Sequence, residues 1–134
     1  MNAILRTNDD SKYLALLNIE RFEDGSGYGA DLVVRSDGYA GNLKFYFEVA
    51  PLERFVQALD RMDDELKGAA TLKPNYEEPF VKLEVHKTGA VSVSGELVIH
   101  ADFTHRLTFG FKTDQTCLAP FARDLRTCLV SQAV

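Results

Sequence analysis

The chain has no tryptophan, two cysteines, four prolines and no long apolar run. Each shortage excludes something. Without tryptophan the protein lacks one of the side chains that most often anchor protein interfaces. Cys117 and Cys128 stand too far apart for a Cys-x-x-Cys redox or zinc motif and are too few for a disulfide scaffold, so both are expected to be reduced thiols, with Cys128 in the core. The apolar runs at 14–17 and 32–34 fall far short of the roughly 20 residues that a membrane-spanning helix requires. The opening MNAILRTNDDSKY has neither the apolar core of a signal peptide nor a small-residue cleavage site, which predicts a cytoplasmic protein without a membrane partner. Positive charge is also in deficit. Fifteen Lys and Arg against twenty Asp and Glu give a formal charge of −5, which opposes attraction to phosphate backbones, so no nucleic-acid partner is expected.

What remains is an ordinary globular composition, 46% hydrophobic and 26% charged over 134 residues, and one domain spanning 1–134 is expected. The stretch 43–66, LKFYFEVAPLERFVQALDRMDDEL, organises it. Leu43, Phe45, Phe47 and Val49 alternate with Lys44, Tyr46 and Glu48, the pattern of a strand with one buried face. Pro51 then opens a helix in which Leu52, Phe55, Val56, Leu59, Met62 and Leu66 recur every three or four residues.

Strands are expected at 12–22, 28–35 and 39–49, joined by turns at Glu23 to Gly27 and at Ser36, Asp37 and Gly38, whose glycines are free to take positive φ. The irregular hydrophobics of the first strand mark it as covered on both faces or central. The helix runs from 51 to about 67, where Gly68 is a natural stop. Residues 71–79 read as a loop. Three more alternating strands follow, through Val81 to Val85, Val91 to Ile99 and Phe103 to Phe111. Leu118, Phe121, Ala122, Leu125, Cys128 and Leu129 form a closing helical stripe, with Pro120 in its first turn. The order β-β-β-α-β-β-β-α predicts an α+β fold: one antiparallel six-stranded sheet with two amphipathic helices packed on one face. No repeat is apparent. Gly41, Gly95 and Gly110 lie inside strands, where a missing side chain marks a bulge, a bend or a close approach.

Catalytic and metal motifs are absent from the reading. His86, His100 and His105 form no HExxH pattern, and a surface cation site of His100, Asp102 and His105 competes with a plain polar hairpin end. Gly25, Gly27 and Gly29 form a GxGxG string, but it joins two strands and lacks the helix N-terminus that would hold a phosphate. No cofactor is expected. The open sheet face offers Tyr46, Glu48, Glu84 and His86 as an alternative small-molecule or catalytic site. More noticeable are Asp60, Asp63, Asp64 and Glu65 in the last turns of the first helix, where the macrodipole disfavours acids by a few tenths of a kcal/mol per charge. With Glu77 and Glu78 they would make an acidic patch suited to a basic protein partner.

The strand FYFEV leading into PLERFVQALDRM, the later EEPFVKLEVHKTGAVSVSGEL and the closing amphipathic helix resemble the WapI-type small immunity proteins of bacterial polymorphic toxin systems. The resemblance covers most of the chain and implies a non-enzymatic protein that binds and neutralises a cognate toxin; the group offers no catalytic residues to carry over. Two readings stand beside it: the sheet-face site above, and a homo-oligomer subunit, which would show a large apolar patch or a free sheet edge.

Overall fold

The computed structural model describes residues 1–74 and 79–131. Eight strands and two α-helices follow one another as β1 (Ala3–Leu5), β2 (Lys12–Arg21), β3 (Gly27–Ser36), β4 (Tyr39–Glu48), α1 (Val49–Glu65), β5 (Ala69–Leu72), β6 (Phe80–Val85), β7 (Ala90–His100), β8 (Thr104–Asp114) and α2 (Leu118–Ser131), with a single 3-10 turn at Gln115–Cys117. The α+β class expected from the hydrophobic periods is present. The single six-stranded sheet is not: the strands divide into two four-stranded antiparallel meanders, β1-β2-β3-β4 and β5-β6-β7-β8.

Two short strands account for the difference. β1 pairs Leu5 with Leu14 of β2, and β5 pairs Leu72 with Val81 of β6. β1 is three apolar residues and β5 four residues with a single polar one, both too brief to register as a period; β1 lies ahead of the first expected strand at 12–22, and β5 runs into the expected loop at 71–79. Each is an outer strand of its sheet, and each is covered by the helix of the opposite half: α1 packs against β5, α2 against β1, and the two helices against each other. The chain is therefore a ββββα unit used twice. Both helices even carry an Ala–Pro pair as their second and third residues, Ala50–Pro51 and Ala119–Pro120. This repeat of elements corrects the expectation of a chain without repeats; it is invisible in the residues because almost none of them recur.

The buried residues of both sheets and both helices form one continuous cluster. Phe55 of α1 meets Phe121 of α2 edge to face, with ring centroids 6.3 Å apart. On β3 and β4, Tyr28 stacks on Phe47 with ring centroids 5.8 Å apart, and Phe45 packs tilted against Phe47 at 5.6 Å. The sheets meet where β3 approaches β8 and β4 approaches β7. Gly41 lies close to this seam, where a Cβ on it would come within 2.8 Å of a methyl of Leu97 and move that side chain. Gly95 is needed, because its Cβ would meet the Phe80 carbonyl at 2.3 Å. Gly110 has open space by comparison.

The turns obey the glycine signals. Asp37 and Gly38 both take positive φ in the two-residue β3–β4 turn. α1 begins at Val49, two residues before Pro51, and ends with Leu66 in the left-handed region and Gly68 just beyond. β2 is indeed an inner strand, between β1 and β3, and its irregular pattern has a cause: the register slips between Leu17 and Glu20, with Asn18 at φ 53°.

Candidate partner-binding surface

The polar side of α1 is the most heavily charged surface that one element presents, and its spacing divides it into two flanks. Glu53, Asp60 and Asp64 lie on the flank toward α2, while Arg54, Ala58 and Arg61 lie on the flank toward β5. Of the four acids at its C-terminal end, two are anchored. The Asp60 carboxylate pairs with Arg126 of α2. Asp63 accepts two hydrogen bonds from Gln115 Nε2, at 3.0 Å on its backbone carbonyl and 3.3 Å on Oδ1. These bonds offset the macrodipole cost that local sequence assigns to acids in this position. Asp64 and Glu65 are exposed, and their side chains have no partner among the described residues. Glu77 and Glu78 lie outside the described residues.

The four residues of the alternative sheet-face site are not brought together on one sheet. Tyr46 and Glu48 belong to β4 of the first sheet; Glu84 belongs to β6 of the second, and His86 follows it. Tyr46 packs against Phe22 with ring centroids 6.0 Å apart. Glu48 is the residue before α1 and makes no side-chain capping bond to it. His86 Nε2 lies 2.8 Å from Ser92 Oγ and not beside Glu84 as a partner. On the first sheet, Lys44 bonds Asp31 at 2.6 Å, and that bond, with one donated by Asn18 Nδ2 at 2.9 Å, holds the Asp31 carboxyl below its ordinary value.

Chemical groups elsewhere are accounted for structurally. Among the described residues, no three His, Cys, Asp or Glu side chains lie close enough to hold a metal ion, and His100 stands 3.5 Å from Thr104 across the β7–β8 hairpin. Cys117 and Cys128 are both free and buried, and burial pushes the Cys117 thiol up to about 12, far from nucleophilic use at neutral pH. The GxGxG string is a hairpin: Asp24 accepts from Ser26 N and Oγ at 2.9 and 2.7 Å in the turn, and a Cβ on Gly27 would meet the Phe47 carbonyl at 2.5 Å.

The basic flank was not among the sequence expectations: the helix was singled out for its acids alone, and Lys73 fell in the expected loop at 71–79. The helical spacing of 54, 58 and 61 was there to be read; the strand opposite it, β5, was not.

The fold and this surface define a small α+β scaffold that exposes the charged side of one helix. The Immunity protein WapI-like family model matches residues 5–131, and the chain belongs to that family. No curated protein and no solved structure matches it. No helix among the described residues is long and apolar enough to cross a membrane.

Proposed function

We propose that the protein is a non-enzymatic, cytoplasmic immunity protein that neutralises a cognate toxin by covering a basic surface on it with the C-terminal end of α1. The observation that carries the proposal is the family match over nearly the whole chain; the exposed carboxylates of Asp64 and Glu65 support a contact at this end of α1. Arg126 and Gln115 hold Asp60 and Asp63 in place, so the patch has a fixed half and a free half. Charge placed this way speeds encounter with a cationic partner and suppresses wrong ones.

The test is protection of cells that express a candidate cognate toxin. Wild-type protein should restore growth, and Asp64→Lys with Glu65→Lys should lose protection while the melting temperature stays within a degree or two, since neither side chain has a partner to lose. Full protection by the double variant would remove the acidic end of α1 from the interface.

A further inference from the structure

The other flank of α1 borders a groove of about 510 Å³. Arg54, Ala58 and Arg61 form one wall; β5 and Lys73 just after it form the other, and Phe55 and Ala70 contribute an apolar floor. Arg54, Arg61 and Lys73 are exposed and enter no ion pair among the described residues. In a chain whose formal charge is −5, three cations around one groove make a local positive site that favours an anionic ligand. The second wall adds a different requirement. β5 is the last strand of its sheet and pairs with β6 alone, so its outer edge presents backbone groups that another strand can satisfy.

We propose that this groove receives an extended acidic segment of the protein partner, whose backbone adds to the β5 edge while its carboxylates meet Arg54, Arg61 and Lys73. This inference rests on the immunity reading for the identity of the partner and deepens it. Seven residues of helix separate Arg54 from Arg61 by roughly 10 Å, which is the reach of about three extended residues, so a segment of four to six residues fills the site. A sugar–phosphate chain would satisfy the cations but leave the strand edge unpaired, which is why the observations favour polypeptide over RNA. The repeat supplies an internal comparison. At the matching positions α2 carries Arg123, Thr127 and Val130, so the seam it makes with β1 lacks the second arginine.

A fluorescein-labelled octapeptide of alternating Glu and Val, titrated with the full chain and followed by anisotropy, tests the groove without any toxin. Binding is expected, weakened at least tenfold by Arg54→Glu with Arg61→Glu, weakened less by the corresponding glutamines, and unchanged by Arg123→Glu. No binding, equal binding by the double Glu variant, or octauridylate binding as tightly as the peptide would each overturn the assignment. Protection assays separate the two ideas. If wild-type protein protects and the Arg54→Glu, Arg61→Glu variant with unaltered melting protects equally, the groove is refuted and the immunity reading stands; if wild-type protein fails to protect, the immunity reading is refuted and the peptide titration still judges the groove.

Discussion

The two halves of the molecule have the same plan and different contents. β1 to α1 and β5 to α2 follow the same order of elements, each sheet is a simple meander, and each helix crosses to cover the first strand of the other half. The cores are filled in contrasting ways. The first sheet uses large rings, Tyr28, Phe45 and Phe47, and takes a bulge at Asn18. The second packs Leu83, Val85, Val91 and Val93 with Phe109 and Phe111. In both, the third strand of the sheet contributes a glycine against a neighbouring carbonyl: Gly27 against Phe47, Gly95 against Phe80. The comparison teaches that hairpin connections and helix placement define this architecture, whereas the volume inside each sheet can be filled by several combinations of large and small residues.

The largest effect should come from the contact that joins the halves. Phe55→Ala and Phe121→Ala should each cost ~3–5 kcal/mol in urea unfolding, because both rings are almost fully buried. The double variant should fall short of the sum by ~0.5–1.5 kcal/mol, the worth of an edge-to-face pair. Strict additivity would mean that the halves are not coupled through these rings. Next in size, Gly95→Ala should destabilise by ~1–3 kcal/mol because backbone, not a movable side chain, blocks its Cβ. Gly110→Ala is the control: its nearest neighbour is the Val93 carbonyl at 3.8 Å, and its stability should change by less than about 0.5 kcal/mol. Equal losses at both glycines would show that close approach is not what the second sheet requires. The smallest effect is expected at Asp60→Asn, which breaks the pair with Arg126 between α1 and α2 but leaves two exposed side chains; a loss of ~0.2–1 kcal/mol, shrinking as salt is raised, is expected by chemical denaturation.

Much of the first half was legible residue by residue. Alternation in FYFEV, the three- and four-residue spacing from Leu52 to Met62, and the Asp37–Gly38 turn are local signals, and the observed elements agree to within a residue or two. The bulge at Asn18 shows as irregular hydrophobics without revealing its position, since asparagine accepts positive φ with no neighbouring mark. Of the candidate surface, the acids at the end of α1 were visible through their opposition to the helix dipole. Their division into the anchored Asp60 and Asp63 and the exposed Asp64 and Glu65 was not, because the partners Arg126 and Gln115 lie 66 and 52 residues away.

By itself, then, the chain's local chemistry determined where the six longer strands and the helices α1 and α2 run, which glycines turn the backbone, and that acids crowd the C-terminal end of α1. Period and φ preference act over a few residues and leave their mark wherever they act. Only tertiary structure decided that eight strands separate into two sheets, that β1 and β5 exist at all, and that each helix covers the opposite half. Strands of three and four residues are held by one partner strand and by the helix packed against them, and neither of those neighbours can be read from the strand's own sequence.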